Sequence, residues 1–127
     1  MRPSFFLLLL LTVIASCKLS ENIQDGQTAY NLKKYSLAAE LLQKDFNKQD
    51  PSTDHAAIAF KIAQSYKFTN NIPAAEKWFE TAIEWEYGSE AILELARMLK
   101  IQEKYTEAIQ QFNNYLKEEP YRRPEIN

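Results

Sequence analysis

Two stretches of this chain align without a gap: "AQSYKFTNNIPAAEKWFETAI" from Ala63 and "ARMLKIQEKYTEAIQQFNNYL" from Ala96. Ala63 matches Ala96, Tyr66 matches Leu99, Ile72 matches Tyr105, Ala75 matches Ala108, Phe79 matches Phe112 and Ile83 matches Leu116, each pair 33 residues apart. The earlier stretch "DGQTAYNLKKYSLAAELLQKDF" fits the same frame, with Gly26, Tyr35, Ala38, Leu42 and Phe46 standing 37 residues before their counterparts. A period of this length means that one supersecondary unit recurs. Each unit is too small to bury its own apolar face, so neighbours stack, and about three are needed for stability.

The unit is helical. Almost no run alternates at period two, and apolar residues recur at helical spacing. Breaks near "KKY", "NKQDPSTD", "TNNIP", "EYGS" and "QEKY" leave six predicted helices: 20–33, 36–48, 53–68, 72–86, 89–102 and 105–118. Ser52, Thr53 and Asp54 offer N-caps after Pro51. Pro73 falls in a first turn, where its missing N–H is harmless. Gly88 followed by Ser89 reads as a stop and a fresh cap.

Two helices cross closely only where both carry small side chains. Gly26, Ala63 and Ala96 supply them on the first helix of each pair, and Ala38, Ala75 and Ala108 on the second. Tyr35, Ile72 and Tyr105 lock each pair at its turn; Leu42, Phe79 and Phe112 lock it further along. This pattern resembles the tetratricopeptide repeat, in which each unit of about 34 residues is two antiparallel helices. The resemblance implies an all-α fold, three repeats (20–48, 53–86 and 89–118) stacked as a short right-handed α-solenoid. Departures are visible. Ala59 and Ile92 stand where a Trp is expected, and Asp45 and Tyr115 stand where Ala82 provides a late small residue. The loop after the first repeat is also longer.

The N-terminal end carries a different signal. Arg2 precedes an apolar run from Phe5 to Ala15, followed by Ser16 and the only cysteine, Cys17. That layout is a secretory signal peptide, and the run is well short of the ~20 apolar residues of a spanning helix. "IASC" resembles the lipobox of bacterial lipoproteins. The resemblance implies cleavage after residue 16 and lipidation of Cys17 within a short N-terminus of 17–19. The bilayer would then be reached through lipid on this one sulfur. A lone cysteine has no intramolecular disulfide partner, and stable anchoring takes more than one acyl chain. Lys18 is not the acidic residue associated with inner-membrane retention, so the expected location is the bacterial cell envelope, on the outer membrane facing the periplasm.

Composition narrows the function. The net charge is -2 and Gly is scarce, at 2. A weakly acidic chain without a Lys/Arg cluster is unsuited to gripping phosphates, so no nucleic-acid partner is expected. There is no Gly-rich phosphate loop, nucleophile elbow or paired metal-ligating histidines. His55 stands alone beside Asp54 and reads as a solvated surface residue. The expectation is a non-enzymatic chain with no cofactor, metal or small-molecule substrate. Trp78 and Trp85 fall off the core frame, so one of them is expected on an outer surface.

In the resembled family the first helices line a concave groove. Carried over by position, the groove would present Tyr30, Phe60, Gln64, Lys67, Phe68, Arg97 and Lys100, flanked by Ile23, Gln27, Asn31, Leu93 and Ile101. Its cations would meet carboxylates of an extended peptide while Tyr30, Phe60 and Phe68 take apolar side chains. The paired Asn and Lys of chaperone-binding members are absent. The expected role is a lipid-anchored scaffold holding a protein or peptide partner in an envelope complex, or an assembly factor that grips client peptides transiently.

After the sixth helix, "EEPYRRPEIN" holds two prolines and reads as a linker or truncated end over 119–127, leaving Phe112, Tyr115 and Leu116 with nothing in sequence to cover them. A lipobox followed directly by such repeats looks like the start of Bacteroidota lipoproteins of the OmpA family, some of which serve type IX secretion and gliding. None of that family's downstream domains is present, so peptidoglycan binding is not carried over.

Overall fold

The computed structural model describes residues 22–119. The apolar leader, Cys17 and the segment beyond Glu119 lie outside the described residues, together with the expectations attached to them. Six α-helices follow in order: α1 Gly26–Asn31, α2 Tyr35–Phe46, α3 His55–Phe68, α4 Ile72–Glu84, α5 Ser89–Ile101 and α6 Tyr105–Glu118. No strand occurs among the described residues, and the fold is all-α.

Local chemistry sets the helix starts. The Asp25 carboxylate accepts from the backbone N–H of Thr28 at 2.8 Å and from the Thr28 hydroxyl at 2.6 Å. This N-cap holds α1 to six residues, against the longer helix expected over 20–33. Asp54 caps α3 by accepting from the N–H of Ala57 at 3.0 Å, and Asn71 accepts from the N–H of Ala74, with Pro73 in the first turn of α4. Ser89 is not the cap expected for α5. Gly88 holds that position, at a φ of 116° that favours glycine. Ser89 is the first helical residue, and its hydroxyl donates to Glu119 at 2.7 Å.

The helix ends repeat one device. Lys33, Asn70 and Glu103 each take a left-handed φ, between 58° and 61°. The next N–H then reaches back five residues: Lys34 to the carbonyl of Ala29 (2.9 Å), Asn71 to Tyr66 (2.9 Å) and Lys104 to Leu99 (3.0 Å). These are three copies of one C-terminal motif, 37 and 33 residues apart like the side-chain frame. Glu86 repeats the geometry after α4, where the N–H of Tyr87 bonds Ala82 at 3.0 Å.

Each helix packs on the one before it and the one after it. The small residues lie at the crossings. Ala38, Ala63, Ala75 and Ala96 are fully buried and Ala108 nearly so. Gly26 leaves no room for a side chain: a Cβ there would lie 2.8 Å from Leu42 Cγ and 2.9 Å from its backbone nitrogen. Two apolar clusters result. One holds Ala29, Ala38, Leu42 and Ile62; the other runs from Ala59 and Phe79 to Leu95 and Leu99. Phe46, Tyr66 and Trp78 pack against both and join them. Trp78 therefore belongs to the interior, its ring edge-on to Phe46 at 5.1 Å, while Trp85 is the half-exposed tryptophan.

His55 departs from its expected solvated state. It is half-buried, its ring stacked on Trp85 at 4.4 Å and edge-on to Phe46 at 5.2 Å. Its Nδ1 lies 3.0 Å from the carbonyl oxygen of Thr53. That contact assigns the proton to Nδ1 when the ring is neutral.

Candidate functional site

The inner sides of α1, α3 and α5 are joined by polar rungs. Lys61 donates to Gln27, and the Tyr30 hydroxyl donates to the Gln64 amide oxygen. Burial, reinforced by the neighbouring Tyr35, raises the Tyr30 phenol above its ordinary value, which keeps it a donor. Between α3 and α5 the rung is ionic. Lys67 Nζ lies 2.6 Å from Glu94 Oε2, and Arg97 bonds the other oxygen of the same carboxylate. The Glu94 side chain is only 7% exposed.

Phe60 and two of the cations do not stand where the expected groove needs them. Phe60 is buried: Tyr87 stacks flat on it at 4.1 Å and Phe79 meets it edge-on at 5.5 Å. The chain returning from α4 into α5 brings Tyr87 there, so this ring belongs to the core. Lys67 and Arg97 already share an internal carboxylate, so neither is a free cation awaiting a ligand. Glu94 was not legible as a site residue. Its i,i+3 relation to Arg97 is a local signal, but the bond to Lys67 exists only once α3 and α5 are packed.

Other expected residues do come together. Tyr30 meets Tyr35 edge-on at 5.8 Å, and Tyr35 stacks on Phe68 at 4.6 Å. Phe68 is 52% exposed, with Lys67 Nζ 5.7 Å from its ring centre. Lys100 is exposed, and among the described residues it has no ion pair. The accessible part of the face has therefore shifted from mid-helix toward the ends of α3 and α5.

Two depressions adjoin these elements. One, of about 250 Å³, lies along α5 and is lined by Glu90, Leu93, Arg97 and Tyr115. Leu93 and Tyr115 are the counterparts of Phe60 and Ala82, which α5 and Tyr87 cover one unit earlier. The other, of about 440 Å³, is bounded by Phe46, Pro51, His55 and Trp85. Among the described residues no group of three His, Cys, Asp or Glu side chains is placed to hold a metal ion, and no helix is long and apolar enough to cross a membrane. No family model matches the chain, and no curated protein matches its sequence.

Proposed function

We propose that this chain is a lipid-anchored scaffold of the tetratricopeptide type, three helix pairs stacked as a short solenoid, which holds a protein partner in a bacterial envelope complex. The observation that carries the reading is the threefold recurrence of one construction. A small residue is buried at each crossing, and the same left-handed turn closes each first helix at Lys33, Asn70 and Glu103. Units of that kind bind through extended surfaces rather than enclosed pockets. The membrane part of the proposal rests on the sequence alone, through Arg2, the apolar run and the "IASC" at Cys17.

The internal use of Lys67 and Arg97 favours a standing scaffold over a client-gripping groove, because a groove that captures carboxylates needs cations that are not already paired. The test is to express the full chain and its Cys17→Ser variant in a lipoprotein-processing bacterium. Wild type is expected to partition with membranes, to gain acyl mass on the N-terminal peptide and to recover the same protein after crosslinking in independent preparations. The variant is expected to leave the membrane. An unacylated thiol on the membrane-bound protein overturns the anchor. The absence of any reproducible crosslinked protein overturns the scaffold.

A further inference from the structure

The three turns that close α1, α3 and α5 lie at one end of the helices, because each is followed within a few residues by the returning helix. Apolar side chains collect at this edge although it faces solvent. Leu32 is 50% exposed, and Phe68, Ile101 and Tyr105 are at least as open. Cations interleave with them. Lys33, Lys34 and Lys100 are exposed and have no ion pair among the described residues, whereas Lys67 and Lys104 are held by Glu94 and Glu76. Glu103 and Glu107 are the edge's remaining carboxylates, both beside Tyr105. The opposite end, where α3 and α5 begin, collects Asp50, Asp54, Glu86, Glu90 and Glu118 against Lys48 and Lys117. Charge is thus separated along the helix axes.

We propose that the turn edge is a docking surface for an acidic, amphipathic protein segment, whose carboxylates meet Lys33, Lys34 and Lys100 while its apolar side chains cover Leu32, Phe68 and Ile101. This proposal rests on the scaffold reading and names the chemistry of its partner. Adjacent helices lie ~10 Å apart, so successive turns span about 20 Å, the reach of an extended segment of roughly six to eight residues. Apolar contact supplies affinity, and the cations supply orientation and association rate. An anionic bilayer is the other surface that such an edge would suit. Glu103 and Glu107 stand exposed on the same edge, however, and would be pressed against the phosphates of a flat bilayer, whereas a narrow segment passes beside them.

The experiment measures binding of a fluorescein-labelled (Leu-Glu)4 peptide, and of its (Leu-Lys)4 counterpart, to the full chain in neutral detergent. The acidic peptide is expected to bind at least tenfold more tightly. That preference should disappear in the variant K33E/K34E/K100E, and it should weaken when salt is raised from about 0.05 M to about 0.5 M. Circular dichroism on the variant establishes that it folds. Leu32→Ser with Ile101→Ser is expected to weaken both peptides without changing the charge preference. Equal binding of the two peptides, no binding, or no response to charge reversal overturns the proposal. Attachment to phosphatidylglycerol vesicles without peptide binding overturns it in favour of a lipid ligand. If crosslinking recovers a partner that ignores the charge reversal, the edge fails while the scaffold stands. If no partner is recovered, the scaffold itself fails.

Discussion

Glu94 on α5 and Lys67 on α3 meet at 2.6 Å, with the carboxylate nearly buried and its second oxygen taken by Arg97. This contact ties the second helix pair to the third through charge, as the Lys104–Glu76 pair does at the turn end. A buried carboxylate that has lost its cations is costly, and a half-buried lysine that has lost its carboxylate less so.

Removing the carboxylate therefore strips two cations of their partner at once. Glu94→Gln is expected to lower stability by about 1–3 kcal/mol. Arg97→Ala is expected to cost under about 1 kcal/mol, because its side chain is half-exposed and Lys67 remains. Urea unfolding followed by circular dichroism ranks the two.

The crossing of α1 on α2 has no room for a methyl group. Gly26→Ala is expected to destabilise by roughly 1–3 kcal/mol, since a Cβ would press on Leu42 side chain and backbone together. The damage should stay local. Amide hydrogen exchange would quicken in α1 while α4 and α5 keep their protection.

Three of the left-handed turn residues carry long side chains where glycine is the low-strain choice. Glu86→Gly and Glu103→Gly are expected to be neutral or to raise stability by up to about 1 kcal/mol each. Gly88→Ala should do the reverse, through its φ of 116° and not through crowding, since nothing lies within 4 Å of the added carbon. Thermal melts decide both signs.

Acid should loosen α1 first. The Thr28 hydroxyl and N–H bound to the Asp25 carboxylate hold its pKa below the ordinary value of 3.8. The cap is thus fully present above 3.8 and is lost as pH falls through the lower folded value. Exchange or NMR shifts at Gln27 and Thr28 should change in that range, and Asp25→Ala should abolish the change.

The two tryptophans should separate by quenching. Trp78 is packed between the two clusters and Trp85 is half-exposed. The Trp85→Phe protein is expected to resist acrylamide, while Trp78→Phe leaves a fluorophore that acrylamide reaches readily.

Period and side-chain size made much of this architecture legible. Gly26, Ala63 and Ala96 could be placed at crossings from spacing alone, because a close approach tolerates nothing larger. The ends of α3 to α6 fall within two residues of their expected positions. The start of α1 was missed because apolar spacing runs on past the true end, and only the Asp25 carboxylate turning onto Thr28 stops the helix. The site was harder to see. Spacing placed Phe60 on an inner face, but not beneath Tyr87, which arrives through the turn after α4. It marked Lys67 and Arg97 as cations without showing that one acid, 27 residues from Lys67, would occupy both. His55 looked solitary in sequence because its neighbours come from elsewhere: Phe46 is the last residue of α2 and Trp85 follows the end of α4.

The brevity of α1 has a mechanical consequence. Any pull on the chain ahead of Asp25 loads this six-residue helix first, and what resists is a carboxylate cap, Gly26 seated on Leu42, buried Ala29 and the rungs from Gln27 and Tyr30 to α3. Under tension it would peel away as a fuse, lengthening the leash while the ion-paired helices behind it keep their shape.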